Sequence, residues 1–156
     1  MHCTILAVGQ KMPNWCKIAC EDYALRLQRM LKCSLVEIPP ALRNKSNHIQ
    51  TYKEDEFKKI QQKILPGDLV IALDCKGESW TTPQLSQKIA KWQLEGNNLC
   101  FVIGGPDGLD KACLDRANTK WSLSPLTFPH MMVRVILFEQ LYRAASMLSN
   151  HPYHRE

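Results

Sequence analysis

The sequence lacks the common motifs of membrane, metal and dinucleotide binding. No apolar run approaches the roughly 20 residues that a helix needs to cross a bilayer. No Cys-x-x-Cys pair occurs, and no carboxylate or cysteine stands at ligand spacing from His151 and His154, so we expect no metal site. Only one glycine, Gly9, follows the first predicted strand, which argues against a standard dinucleotide-binding turn. There is no Walker lysine motif either.

The cysteine content indicates a reducing compartment. The count of seven is odd, and most of these residues fall on apolar positions of predicted strands or helices, as buried free thiols do. Residues 1–9 have neither a basic segment nor a convincing cleavage site, and are more typical of a first strand than of a signal peptide. We therefore expect a cytoplasmic protein.

The length and charge are those of one ordinary globular domain with a basic N-terminal part. The chain has 156 residues, of which 45% are hydrophobic, so it can bury a substantial core. The net charge is +5, and all of this excess lies within residues 1–63, including Arg43 and Lys45. Such an excess suits a polyanionic partner, but it equally suits an ordinary soluble surface, and charge alone does not decide between them.

Strands and helices alternate along the whole chain. This order predicts a single α/β domain over residues 1–156, in which a parallel sheet has helices on both faces. In the third helix, Thr82 is the expected N-cap and Pro83 the first helical residue. The predicted strands are 3–8, 35–38, 68–74, 99–103 and 120–123, and the predicted helices are 13–32, 49–64, 82–95, 109–117 and 130–149.

Three segments follow the predicted strand ends, where parallel sheets bind ligands. They are Leu73-Asp74, the turn at Gly104-Gly105, and the loop 123–128. Glycines let a ligand approach bare backbone, although a plain tight turn explains them equally well. The loop interleaves serine and threonine with apolar residues between two prolines, which suits a pocket for a flat heterocycle. A rigid connector is the alternative, and the neighbouring glycine turn favours the pocket.

The last seven residues, 150–156, are unusually rich in aromatic and imidazole groups for a chain end. Such groups stack on bases, contact phosphate or move protons, whereas the simpler interpretation is a polar surface tail. In the preceding helix, Glu139 and Arg143 have the spacing of a surface ion pair. His130 begins that helix, where the positive helix end would lower its imidazole pKa.

The final helix also has apolar residues on more than one face. A single domain would hardly bury all of them, so we expect a homodimer whose interface includes this helix. The residues concerned include Met131, Val135, Phe138, Leu141, Tyr142 and Met147.

Taken in order, six motifs resemble one bacterial family over the whole chain. They are residues 9–15 (GQKMPNW), 73–74 (LD), 82–85 (TPQL), 101–108 (FVIGGPDG), 121–124 (WSLS) and 150–156 (NHPYHRE). The family comprises the large-subunit rRNA pseudouridine-N3 methyltransferases, subfamily H, of the SPOUT superfamily. The joint occurrence of the glycine turn and the terminal heptad is highly specific for it.

The resemblance implies features that periodicity cannot reveal. It implies a C-terminal trefoil knot, which ordinary rules of chain topology would have rejected. It also implies S-adenosylmethionine as cofactor, and a homodimer in which the partner subunit helps to build the RNA site. The implied substrate is a pseudouridine in a 23S rRNA stem-loop of the assembled ribosome. The implied cofactor-binding residues are Leu73, Gly104, Gly105, Leu123, Ser124, Pro125, Leu126, Thr127 and Phe128.

The implied chemistry is direct displacement of the sulfonium methyl by N3 of the base. Neither a metal nor a covalent intermediate is needed, but the protein must align the reactants and help the imide to lose its proton. The candidates for this help are His130, Glu139, Tyr153 and His154. Expected RNA contacts are Arg134, Arg143 and Arg155 with phosphate, and Tyr153 and His154 with the substrate. We expect the tail to contribute more to catalysis than to folding.

Two other functions are compatible with the sequence. One is a non-catalytic RNA-binding or ribosome-associated factor of the same fold, which a methyl-transfer assay would distinguish. The other is a small-molecule methyltransferase or nucleotide-binding enzyme of flavodoxin-like form, which would leave the basic N-terminal part and the aromatic tail without a role.

Overall fold

The structure is a computed structural model that describes residues 1–44 and 48–155. Lys45, in the basic loop, and Glu156, in the terminal heptad, lie outside these residues. Among the described helices, none combines the length and the apolar character that crossing a bilayer requires. Within the same residues, no cluster of three His, Cys, Asp or Glu side chains could hold a metal ion.

The predicted alternation of strands and helices is confirmed, with shifted ends. A short 3-10 turn, Pro152–His154, follows the last helix. The strands are β1 (His2–Val8), β2 (Lys32–Ile38), β3 (Asp68–Ser79), β4 (Asn98–Ile103) and β5 (Thr119–Ser122). The helices are α1 (Asn14–Leu27), α2 (Ile49–Gln61), α3 (Thr82–Leu94), α4 (Lys111–Arg116) and α5 (His130–Leu148).

The five strands form one parallel sheet in the order β2-β1-β4-β3-β5. One face packs against α1, α3 and α5, and the other against α2 and α4. Both faces are therefore buried, which explains why the central strands are almost wholly apolar. The trefoil knot implied by the resemblance stays a prediction, with which this strand order is compatible.

Strand β3 is longer than the sequence pattern predicted, and Gly77 gives the reason. The prediction ended this strand at Asp74, where the apolar run stops, but pairing with β5 resumes after an irregularity and continues to Ser79. A Cβ atom on Gly77 would lie 2.6 Å from the backbone of Lys120 and Trp121. Only glycine allows the two strands to come this close.

Two local predictions about helices are corrected. In α3 the N-cap is Thr81 and not Thr82, because the Thr81 hydroxyl accepts from Gln84 N (3.3 Å) while the Gln84 side chain accepts from Thr81 N (2.8 Å). In α1 the spacing of apolar residues in the sequence predicts a buried face that includes Trp15 and Ile18, but these are 56% and 58% exposed. The smaller residues Cys16 and Cys20 are buried instead, together with Leu27.

Arg134 anchors the first turn of α5 to the end of β1, and this corrects the prediction that it contacts phosphate. Its side chain is fully buried. The guanidinium donates to Glu37 Oε2 (2.6 Å), to Gly9 O (2.9 Å) and to Val8 O (3.3 Å). These acceptors occupy the planar fork of the side chain, so a phosphate would have to displace them. Arg134 is therefore a structural residue.

Gly9 makes this close approach between α5 and β1 possible. Its φ angle is +120°, in a region that side chains disfavour, and a Cβ atom there would lie 2.9 Å from Met131 Cε. Its own N–H donates to Ile38 O at 2.9 Å, which ties the turn to β2. The single glycine after the first strand therefore accommodates a helix end and not a dinucleotide.

We predict that Arg134→Met lowers the free energy of unfolding by about 3 kcal/mol, the lower end of the range for breaking a buried ion pair. The lower end applies because Glu37 is 35% exposed and can be rehydrated. Equilibrium urea unfolding gives this value. The matched control is Arg26→Met, which removes a half-exposed ion pair with Asp22 and should cost under about 0.5 kcal/mol. Equal losses in both variants would contradict the anchoring role of Arg134.

Candidate active site

A cavity of about 290 Å³ lies at the carboxyl ends of β4 and β5 and beside the irregularity in the middle of β3. The carboxyl ends of parallel strands are where sheets of this kind bind ligands. The fold brings all nine residues expected to bind the cofactor to this one cavity, although they come from three distant segments of the chain. They are Leu73, Gly104, Gly105, Leu123, Ser124, Pro125, Leu126, Thr127 and Phe128.

Two serine hydroxyls hold the loop that forms one wall of this cavity. Ser122 Oγ donates to Ser124 O (3.2 Å), and Ser124 Oγ accepts from Leu126 N (2.9 Å). The polar side chains thus stabilise the loop itself, while Leu126 is left 71% exposed at the cavity. An exposed leucine at a concave site is available to pack against an apolar or aromatic ligand.

The two glycines of the turn, Gly104 and Gly105, pack closely against the protein itself. This packing accounts for them without a ligand that approaches bare backbone. A Cβ on Gly104 would lie 2.8 Å from the backbone carbon of Gly108. A Cβ on Gly105 would lie 3.1 Å from Val8 Cγ1, in the core behind the turn. Packing against backbone therefore requires a bare Cα at Gly104, whereas at Gly105 a Cβ atom would be in tight contact with a side chain. A branched side chain at Gly105 would disturb that packing, so it is a poor probe of ligand binding.

His130 lines the same cavity at the first residue of α5. Burial lowers the pKa of its imidazole, and the neighbouring Arg134 charge lowers the pKa further. The direction agrees with the sequence-based expectation, and burial is its largest cause, followed by Arg134. A neutral imidazole at the cavity can accept a hydrogen bond or a proton.

The tail folds back on the protein because Asn150 adopts a left-handed conformation after α5 (φ 54°). His151 N then donates to Ser146 O (2.8 Å), which closes the helix end. The Tyr153 ring packs 4.5 Å from the Tyr142 ring, and its hydroxyl is 3.1 Å from that of Tyr23 on α1. The Tyr153 ring therefore belongs to an aromatic cluster, and the expectation that the tail contributes more to catalysis than to folding stays a prediction.

Glu139 is the centre of a polar cluster that joins α5 to the tail. Its Oε1 atom accepts from Arg143 Nε (2.9 Å) and from Tyr153 Oη (3.1 Å), and Oε2 accepts from Gln140 Nε2 (2.7 Å). The predicted Glu139–Arg143 pair is thus present. With its oxygens engaged by three donors, Glu139 is placed to orient neighbouring groups more than to take a proton.

Tyr153 is a hydrogen-bond donor and not a base at neutral pH. Burial raises the pKa of its hydroxyl well above the ordinary value, and the bond to Tyr23 and the Glu139 charge raise the pKa further. The phenol therefore keeps its proton. Sequence analysis missed Tyr23 because it lies on a helix 130 residues before the tail.

His154 and Arg143 line a second cavity of about 410 Å³, with Thr81, Thr82 and Pro83 at the start of α3. The Nδ1 atom of His154 is buried, and it has no hydrogen-bond partner among residues 1–44 and 48–155. The guanidinium of Arg143 lies 5.0 Å over the Tyr153 ring. Arg155 is exposed beside these residues. A polar ligand in this second cavity would meet a cation and an imidazole nitrogen.

One subunit does not bring all the candidate catalytic residues together. Glu139, Tyr153 and His154 lie at the tail, whereas His130 lies at the first cavity. Along α5, His130 and Arg143 are 13 residues apart, which corresponds to about 20 Å at the rise of an α-helix. The first cavity is therefore out of reach of His154 in the same chain.

Comparison with known proteins shows the family. The model described as "Predicted SPOUT methyltransferase" matches residues 1–154. The chain is 47% identical over its full length to the full-length ribosomal RNA large subunit methyltransferase H of Hahella chejuensis. It is 48% identical to the protein of that name from Saccharophagus degradans, with 99% of this chain and 100% of the relative covered.

Similarity to solved structures concerns the fold alone. A probable methylase family protein from Haemophilus influenzae aligns with a TM-score of 0.55 at 12% identity, covering 99% of this chain and 70% of that one. A putative methylase family protein from Neisseria gonorrhoeae aligns with a TM-score of 0.52 at 11% identity, covering 90% and 81%. On the full-length match to the family model and to these relatives, the chain belongs to the SPOUT methyltransferase family.

Proposed function

We propose that this protein transfers a methyl group from S-adenosylmethionine to N3 of a pseudouridine in 23S rRNA. The observation that carries the proposal is that three distant segments of the chain line one cavity. They are Leu73, the glycines 104–105 and the loop 123–128, which contain the nine residues expected to bind the cofactor. The printed name of the relatives, ribosomal RNA large subunit methyltransferase H, supports the class of substrate. Such a substrate implies that the enzyme acts in the cytoplasm, on the ribosome.

The lining of the cavity suits the proposed cofactor in chemistry. The cavity volume of about 290 Å³ lies just below the range for small-molecule sites, roughly 300–1,000 Å³. Leu73 and Leu126 supply apolar surface for the adenine ring, and the glycine turn supplies backbone polar groups for its edge. When bound there, the cofactor would supply a methyl group on a positively charged sulfur, so that N3 of the base could bond to the methyl carbon while the carbon–sulfur bond breaks and the neutral thioether leaves.

The described residues suggest how the protein assists this reaction. We infer that Arg143 and Arg155 contact RNA phosphate, which the contact of Arg143 with Glu139 and the exposure of Arg155 support. Tyr153 donates a hydrogen bond and keeps the tail docked. His154 is the candidate we favour to accept the N3 proton, because its imidazole lines the second cavity. His130 stays a candidate at the cofactor cavity.

The separation of about 20 Å between the cofactor cavity and the tail leads us to propose a composite site in a homodimer. In this arrangement the tail of one subunit lies at the cofactor cavity of the other.

The dimer interface that we infer differs from the one expected from the sequence, because Phe138, Leu141 and Tyr142 are already buried within one subunit. The exposed side chains of Trp15 and Ile18 on α1, which packs beside α5, are better candidates. Sedimentation at micromolar concentration distinguishes the dimer from a monomer.

The proposed activity predicts methyl transfer to assembled ribosomes. Protein and labelled S-adenosylmethionine are incubated with ribosomes, and the nucleosides of 23S rRNA are then identified by mass spectrometry. We expect N3-methylpseudouridine at one position, and none in ribosomes whose target is still uridine. Isolated ribosomal subunits, assayed in parallel, show whether the assembled ribosome is required. Ribosome binding without transfer would contradict the proposal and favour a non-catalytic RNA-binding factor.

We predict that Leu126→Ala weakens S-adenosylmethionine binding about 10-fold, because the variant loses apolar surface that the cofactor would bury. Calorimetry on the purified protein measures the affinity. Leu94→Ala is the matched control, since Leu94 is also exposed (90%) but lies at the end of α3, outside the cavity. Equal affinities for the two variants would remove Leu126 from the cofactor site.

A further inference from the structure

Arg43 connects the loop after β2 to the glycine turn of the cofactor cavity. Its guanidinium forms an ion pair with Asp107, in the turn between Gly105 and Gly108. The same guanidinium lies 4.7 Å over the ring of Tyr52 on α2. The Tyr52 hydroxyl in turn donates to Asn44 O (2.6 Å) and accepts from Asn44 N (3.0 Å). The described loop residues 41–44 are thus fixed to α2 on one side and to the turn on the other.

A buried carboxylate on α2 completes this connection from behind the turn. Glu56 is only 3% exposed, and its Oε2 atom accepts from Ala41 N at 3.0 Å. Arg43 Nη2 lies 3.9 Å from the same oxygen. Glu56 Oε1 lies 3.6 Å from the place a Cβ on Gly105 would occupy, so the carboxylate packs directly against the turn. The backbone of the cavity wall is therefore supported by a charged pair.

The exposure of Arg43 and Asp107 indicates that their ion pair positions the turn more than it stabilises the fold. The side chain of Arg43 is 37% exposed and that of Asp107 is 18% exposed, and ion pairs near water contribute little to folding. Arg43 does, however, link two carboxylates that lie on different elements, Asp107 on the turn and Glu56 on α2. A planar guanidinium suits this task because its donors have a fixed geometry.

We propose that Arg43 is a positioning residue for the cofactor, holding the turn 105–108 in the shape that the ligand requires. This inference rests on the proposed function, since it concerns the same cavity. Arg43 lies behind the turn and is absent from the cavity lining, so it acts through Asp107 and Glu56. The sequence did not decide whether Arg43 contacts RNA or is an ordinary surface charge. The proposal gives it a specific role instead.

The test is Arg43→Met, which keeps the length of the side chain but removes its charge. We expect S-adenosylmethionine to bind about 5-fold more weakly, as loss of an ion pair of this exposure would allow. The KM for the cofactor should rise by the same factor, while kcat on ribosomes at saturating cofactor stays within about 2-fold. Lys59→Met is the matched control: Lys59 is 35% exposed and paired with Asp55, but does not contact the turn. It should bind the cofactor like the wild type.

A double-mutant cycle with Asp107→Asn shows whether Arg43 acts through that residue. We expect the two changes to be non-additive, and Arg43→Lys to restore part of the affinity. Unchanged cofactor affinity with a lower melting temperature would overturn the proposal, because Arg43 would then be structural only. A raised KM for ribosomes alone would also overturn it, in favour of an RNA contact. Failure of the wild type to bind the cofactor would instead refute the proposed function itself.

Discussion

The packing of the first turn of α5 against the end of β1 is the constraint on which the candidate site depends. Arg134 satisfies the carbonyls of Val8 and Gly9, and Gly9 leaves room for Met131. This contact fixes where α5 begins, and so places His130 at the cavity that we propose binds the cofactor. A buried charge is costly unless it is hydrogen-bonded, so Arg134 must stay within reach of these acceptors. This requirement makes the position of the helix specific.

From that fixed start, the 19 residues of α5 determine where the tail lies. A straight helix cannot bring its two ends together, so the tail residues dock near Tyr23 and Tyr142 and not at the cavity of their own subunit. The buried Nδ1 atom of His154 is left without a partner among residues 1–44 and 48–155. A second subunit, or the substrate RNA, is a natural source of the missing partner in the account proposed above.

The sequence was sufficient to predict the architecture and the lining of the cavity, but not the roles of several residues. Strand and helix periods are local signals, and the rule about strand ends then selects Leu73, the glycine turn and the loop 123–128. Arg134 was expected to contact phosphate, but it is buried, and its acceptor Glu37 lies 97 residues away in the sequence. The extension of β3 and the docking of Tyr153 likewise depend on contacts between distant segments, at Gly77 and at Tyr23.

The central claim is that one subunit supplies the cofactor cavity and the other supplies the tail. Mixed dimers test it most directly, with His154→Ala in one subunit and Leu126→Trp, which adds bulk at the cavity, in the other. Each variant homodimer should be nearly inactive on ribosomes. A composite site predicts that the purified mixed dimer regains about half of the wild-type activity, because one of its two symmetric sites is intact. Mixed dimers as inactive as both parents would contradict the account.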